Sequence, residues 1–473
     1  MRSFRALTAA LLASSAFAIH PAAAAEPKAL RKIDHILVIY LENHSFDNMF
    51  GLFPGAEGLR SKAAKAALPQ VDKDGKPYTV LPPVMNTGLK QMVPDTRFPN
   101  NLANKPFGID QYVPEDQKTF DLVHKFYQNQ AQIDGGKNDK FAQLSDAQGL
   151  VMGYYNTQHT KLWRYARDYT LADHYFMGAF GGSFLNHQWT ICACTPVFPN
   201  APDKAKAHVD AAGTVVIGPD GRMVGDGMVT PDGFAVNTIM SVYQPHPAGA
   251  DPAIALPPQT APTIGDRMSA KGLSWAWYSG GWNDALAGDQ AKMKSDAFQF
   301  HHQPFAYFEK YGDGTPGRAE HLKDEVDLRA DIGNGKLPAL AFFKPVGVKN
   351  QHPGYADVSS GDAHAAEIIE AVRKSPLWKS TVIIVTYDEN GGFWDHVAPP
   401  DKNHGGDRWG PGTRIPAIII SPFAKKHFVD HTVYDTTAIL RLAEERFGLE
   451  PLGGERKFPG SPNDLRNAFV GSK

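Results

Sequence analysis

The sequence predicts an α/β fold in which helices cover a mainly parallel central sheet. Three observations carry this expectation. Four short runs are almost purely apolar, the pattern of strands buried on both faces. Helical apolar periodicity falls between and after them. Composition is near the globular average, with 42% hydrophobic and 21% charged residues over 473 positions, which excludes collagen, coiled coil and wholesale disorder.

Taken in chain order, Met1–Ala25 reads as a secretory signal. Arg2 and Arg5 open it, an apolar stretch runs from Ala6 to Ala18, and Ala23 and Ala25 occupy small-residue cleavage positions. The stretch is well short of the ~20 residues that span a bilayer. The expectation is export to the periplasm or beyond, without membrane insertion. Ile36–Leu41 is the first strand and ends in Glu42-Asn43. Ala339–Phe343 is a second, Val382–Tyr387 a third that ends in Asp388-Glu389, and Ile415–Ser421 a fourth. Ala365, Ile368, Ile369 and Val372 form one helical face, with Asp362 as its start and Pro376 beyond its end. Ile439, Leu442, Ala443 and Phe447 form another, stopped by Gly448.

Residues 52–105 and 196–262 are rich in Gly, Pro and polar side chains. They read as insertions over a face of the sheet, the second with a hairpin at Thr214–Val224 around Pro219-Asp220-Gly221. No repeat or linker divides the chain, so residues 26–473 are expected to form a single domain. Cys192 and Cys194, one residue apart, exclude a disulfide scaffold. A bridge across that spacing would be strained, and both are expected as small buried thiols.

Basic and acidic residues number 48 and 50, for a net charge of −2. No basic field exists, which argues against nucleic acid as a partner. The chemistry lies at strand ends, where open α/β sheets bind ligands. Glu42-Asn43 in LENHSFDNMFG and Asp388-Glu389 in TYDENGGFWDHVAPP offer three carboxylates and an amide. Such hard oxygen ligands suit one divalent ion of the Ca²⁺, Mg²⁺ or Mn²⁺ type. A third segment is GAFGGSFLNHQW. There Gly181 and Gly182 allow close backbone approach, and Ser183 would open a helix whose free N–H groups favour phosphate. Its spacing fits neither the hydrolase nucleophile elbow nor a nucleotide P-loop, and on spacing alone it is a Gly-Gly-Ser turn capping a helix. The histidines are the fourth signal: His124, the adjacent pair His301-His302, His352 and His396. Adjacent histidines point different ways on any regular element and form no helical metal clamp. Several facing one oxygen-rich site would bind phosphate oxygens and donate a proton to a leaving group.

Together these segments, with GTRIPAIIISPFAK and VYDTTAILRLAEERFG, resemble the bacterial secreted acid phosphatase and phospholipase C family, within the alkaline phosphatase and sulfatase superfamily. The resemblance runs from about Ile33 to Leu452. It implies an alkaline-phosphatase-like three-layer core and a metal held by the residues matching Glu42, Asn43, Asp388 and Glu389. It also implies Ser183 as a nucleophile that contacts the metal. His124, Asn186, His187, His301, His302 and His352 match residues lining the phosphate pocket, with His352 or His302 the expected proton donor. Asn43 and Asn186 are expected to stabilise charge on phosphorus. His44, Ser183 and Asn186-His187 resemble the acid phosphatase branch, where phospholipases tend to have Arg, Thr and Asn-Pro-Asn, and the long C-terminal extension common in phospholipases is lacking. The expected activity is hydrolysis of small phosphomonoesters through a phosphoserine, at acidic pH. The alternatives are a phospholipase C acting on choline phospholipids or sphingomyelin, and an inactive phosphate-binding surface protein.

Overall fold

A computed structural model describes residues 28–210, 214–218, 223–247 and 249–471. The expected signal segment and the hairpin tip at 219–222 lie outside the described residues. Eight strands form the central sheet: β1 (His35–Leu41), β2 (Thr170–Ala172), β3 (Trp275–Ser279), β4 (Leu322–Lys323), β5 (Leu340–Lys344), β6 (Thr381–Tyr387), β7 (Ala417–Ile420) and β8 (Phe428–Asp430). Across the sheet they run β8-β2-β7-β6-β1-β5-β3-β4. β1 is central and parallel to both neighbours, with Ile39 beside Phe343 on one side and Val385 on the other. All seven residues of β6 are buried, as unbroken β-branched runs inside a covered parallel sheet must be.

One strand departs from expectation. β7 runs antiparallel to both β6 and β2. A parallel return needs a long crossover, usually helical. Among the described residues the connection 388–416 holds no helix. The chain therefore turns back beside β6. β2, β4 and β8 have only two or three residues each, and β3 (WAWYS) is aromatic rather than aliphatic, so none stood out from the sequence.

Five helices position the site or its support: α1 (Phe46–Phe50), α2 (Lys161–Asp168), α3 (Ser183–Cys192), α4 (Val358–Lys374) and α5 (Ala438–Phe447). The sheet separates two of these layers. The Tyr40 hydroxyl accepts from Thr190 Oγ1 at 2.7 Å and donates to Asn186 O at 3.3 Å, both on α3. The next residue, Leu41, pairs with Tyr387, whose hydroxyl donates to Gln351 Oε1 at 2.6 Å. Gln351 packs on α4, where a Cβ at Gly361 would lie 2.3 Å from its Cγ. Adjacent residues of a strand point to opposite faces, so α3 and α4 lie on opposite sides. α5 joins α3 on one layer and α2 joins α4 on the other.

Two helix ends refine the sequence reading. α5 stops at Gly448, whose φ of 61° suits glycine. α4 begins earlier than expected, with Asp357 accepting Ser360 N–H at 2.7 Å. Asp362 sits inside the helix instead and accepts Lys161 and Leu162 N–H at 2.9 and 2.8 Å. It serves the free amides at the start of α2.

The cysteines are also corrected. Cys192 and Cys194 form a disulfide with Cα atoms 5.1 Å apart. Ala193, just past α3, is left-handed (φ 46°, ψ 40°). That reversal swings the two Cβ atoms together, which extended or helical backbone would not do. Segments 52–105 and 196–262 hold little regular structure. The hairpin arms do pair, with Ile217 opposite Met223. Among the described residues no helix is long and apolar enough to cross a membrane.

Candidate active site

The neighbouring carboxyl ends of β1 and β6 bring the two acidic doublets together. Asp388 N–H donates to Leu41 O at 3.0 Å and Asn43 N–H donates to Asp388 Oδ1 at 3.1 Å. Asn43 takes a φ of 66°, which its short polar side chain tolerates. Gly391 packs so tightly on it that a Cβ would lie 2.3 Å from Asn43 O.

The third component arrives from α3. Its N-cap is Gly182 and its first residue is Ser183. Asn186, one turn in, holds the preceding loop: Oδ1 accepts Ala179 N–H at 2.9 Å, and Nδ2 donates to Ala179 O and Gly182 O at 3.1 and 3.2 Å. Its amide is fully used and fully buried. The expected contact from Asn186 to phosphate is therefore corrected to a clamp on the loop that precedes Ser183.

Ser183 Oγ lies 3.2 Å from Glu389 Oε1, 3.4 Å from Glu42 Oε2 and 3.5 Å from Asn43 Oδ1. One hydroxyl can donate to only one of these acceptors at a time. Asp388 Oδ1 is taken by main-chain N–H groups of Asn43 and Glu389, while Oδ2 is buried without a hydrogen-bond partner. Convergent, under-satisfied hard oxygens are the donor set of a divalent cation, so the residues present fit the expected ion. Glu42 also groups with His187 and His302 within metal-binding reach.

Glu42 Oε1 faces the other way, onto Lys344 Nζ and onto His302 Nε2 at 2.7 Å. Lys344 ends β5, is fully buried, donates to Leu41 O at 3.3 Å and lies over the Tyr40 ring. Burial raises the Glu42 carboxyl, but His302 and Lys344 outweigh it and hold the group well below the usual carboxylate range. Asp388 and Glu389 move the opposite way. Burial and then the Glu42 charge push Asp388 far up, and burial carries Glu389 to about 7 against His124.

The histidines divide by position. His187 is fully buried, its Nδ1 is 2.7 Å from Ser183 O, and its ring stacks on His302 at 5.2 Å. Burial drives His302 down to about 4 and His187 and His301 well below the ordinary value. His187 and His302 thus support α3 and Glu42 from behind rather than lining open space, which corrects the expected phosphate contact of His187. His301 stands edge-on to His302, 4.7 Å between centroids. His124 and His352 are neighbours, 5.8 Å apart by ring centroids. His352 Nε2 is 3.9 Å from Glu42 Oε2. His124 Nε2 is 3.5 Å from Glu389 Oε1 and 3.1 Å from Asn43 Nδ2. Burial lowers His124, but Glu389 and Asp121 more than reverse this and raise it to about 9. A cleft of about 400 Å³ reaches His124 and Gly182 and is bordered by Asp121, Asp226, Asn237 and Thr238, with no Phe, Tyr or Trp among the described residues of its wall. His396 lies apart and binds Asp47 Oδ2 at 2.6 Å, in a network with Arg414 and Asp395.

Lys344 is the main residue that sequence reasoning missed. Its signal was a lone lysine closing an apolar strand.

Ser183 has no imidazole hydrogen-bonded to its hydroxyl, so the geometry is not that of a serine acyl hydrolase. A hydroxyl set among hard oxygen ligands at central strand ends suits metal-assisted chemistry. The chain belongs to the Phosphoesterase family, whose profile matches residues 33–450, and it is a hydrolase of phosphoric ester bonds. It is 24% identical to phospholipase C B of Mycobacterium tuberculosis over 89% of this chain and 75% of that protein. It is 23% identical to the non-hemolytic phospholipase C of Pseudomonas aeruginosa, over 89% of this chain and 55% of that one. A solved protein of the alkaline phosphatase superfamily from Vibrio parahaemolyticus overlays with a TM-score of 0.31 and 10% identity, over 72% of this chain and 71% of that chain.

Proposed function

We propose that the protein is an exported phosphomonoesterase, an acid phosphatase, with Ser183 as its nucleophile. The observation that carries this reading is the Ser183 hydroxyl held among Glu42, Asn43 and Glu389, with His124 beside Glu389. A divalent ion held by Glu42, Asn43, Asp388, Glu389 and Ser183 supplies Lewis-acid polarisation and charge neutralisation. Ser183 Oγ attacks phosphorus in line, and its proton passes to the carboxylate cluster, where Glu389 Oε1 is nearest. His124 pairs with a non-bridging phosphoryl oxygen, and Asn43 steadies a second. His302 is committed to Glu42, so His352, beside His124, gives its proton to the leaving alcohol. Water then attacks the phosphoserine with the same groups in reverse roles.

The cleft supports small polar leaving groups. Its wall lacks the aromatic rings that recognise a quaternary ammonium. The disulfide supports an oxidising compartment and hence export. Phospholipase C activity is the second reading, favoured by the names of the relatives across 89% of the chain.

One profile separates the readings: p-nitrophenyl phosphate, bis(p-nitrophenyl) phosphate and phosphatidylcholine vesicles, each across pH. The monoester is expected to turn over at least tenfold faster than either diester. Release of phosphocholine as the dominant reaction would overturn the proposal, and tight phosphate binding without turnover would identify an inactive binding protein. Ser183→Ala is expected to lose at least about 10³-fold in kcat, and substantial remaining turnover would remove Ser183 from its role.

A further inference from the structure

We propose that Asp173, His174 and His431 form a second metal site, for a borderline cation of the Zn²⁺, Ni²⁺ or Cu²⁺ class, separate from Ser183. The topology builds it. β2 and β8 are parallel neighbours, with Asp430 in register with Ala172. The residues that follow them emerge side by side at one edge of the sheet. Asp173 is fully buried. Its Oδ1 is 2.8 Å from His174 Nδ1 and its Oδ2 is 2.8 Å from His431 Nδ1. The two rings stand nearly perpendicular at 82°, and a donor atom from each residue lies within 4.8 Å of the other two.

These separations suit a coordination sphere. Metal–imidazole and metal–carboxylate bonds of roughly 2.0–2.2 Å put neighbouring ligand atoms roughly 3 Å apart, so only rotamer-scale closure is required. Each neutral imidazole moves its proton from Nδ1 to Nε2 and offers the Nδ1 lone pair, so no proton is lost on binding. Two imidazoles with one carboxylate select a borderline metal over Ca²⁺ or Mg²⁺.

The charge balance points the same way. Among the described residues no lysine or arginine pairs with the Asp173 carboxylate. Arg414, the nearest guanidinium, donates to its main-chain oxygen at 2.9 Å instead. The one further bond to that carboxylate is Glu57 N–H, at 2.7 Å. Access is open, because the His431 side chain is 61% exposed, and His174 borders a cavity of about 800 Å³.

The test uses the full chain, stripped with chelator and titrated with Zn²⁺ or Cu²⁺. The wild type is compared with His431→Ala and with His174→Gln. The wild type is expected to bind one more ion than either variant, or to bind that ion at least tenfold more tightly, with nitrogen hyperfine splitting in the Cu²⁺ electron paramagnetic resonance spectrum that the variants lose. Phosphomonoester turnover by His431→Ala at the wild-type level certifies its fold. Asp388→Asn, which alters only the catalytic cluster, is expected to keep the second ion. Equal stoichiometry, affinity and spectra in wild type and both variants would overturn the proposal.

Discussion

Replacing Gly182 by alanine tests whether His124 is held in place by the loop that precedes Ser183. Gly182 has a φ of −96°, so alanine meets no backbone strain there, and the whole effect is one of space. A Cβ would lie 2.8 Å from His124 O and 3.3 Å from His124 Cδ2. Ordinary contact is about 3.4 Å, so the His124 main chain must give way by roughly 0.6 Å, an overpacking worth about 1–3 kcal/mol of stability. A 1 Å misplacement of a catalytic group costs about 10²-fold. Scaled to the smaller displacement, the transition state loses roughly 1.6 kcal/mol, or about 15-fold in kcat/KM. The assay is steady-state hydrolysis of p-nitrophenyl phosphate beside thermal melting. His124→Gln should lose at least as much, and the double variant little more than His124→Gln, because both act through one group. Wild-type kcat/KM in Gly182→Ala, or fully additive losses in the double variant, would refute the reasoning.

Lys344→Met leaves Glu42 buried without its lysine, and breaking such a pair costs about 3–5 kcal/mol; a melting temperature within about 1 °C of wild type would contradict the assignment. His396 is lowered by burial but raised on balance by its bond to Asp47 and by the Asp47 and Asp395 charges. Its folded value therefore lies above the unfolded one. Its stabilisation is complete below about pH 6.5 and is lost as pH rises through the folded value. The stability gap between wild type and His396→Asn should shrink from pH 6 to pH 9 in urea unfolding, and a gap that widens would reverse the sign. Asp362→Ala orphans the Lys161 and Leu162 amides of α2 and should cost about 1–2 kcal/mol, measured by the same unfolding. An unchanged midpoint would show that the cap contributes nothing.

What the sequence disclosed was governed by distance along the chain. β1 and β6 were legible because a buried parallel strand is an uninterrupted apolar run, and each such run stops at an acidic doublet. That Glu42 and Asp388 then meet follows from strand adjacency alone. Features that depend on pairing across the chain were hidden. Lys344 reaches Glu42, and Asp362 reaches α2, across hundreds of residues, and neither local pattern announces its partner. β7 looked like its neighbours because burial, not direction, sets its composition. The cysteines misled because a single left-handed residue, Ala193, decides whether they can meet. Asn186 was rightly marked as special and wrongly assigned, since its type fits a loop clamp as well as a phosphate ligand.

The charges explain why Lys344 belongs to the site. Glu42, Asp388 and Glu389 share one dry space, and three bare carboxylates cannot all ionise there. His302, by its hydrogen bond, and Lys344, by its charge, hold Glu42 down while its two companions rise. Two carboxylates remain, matched in charge by one divalent cation, with the unpaired Asp388 Oδ2 as a ready ligand.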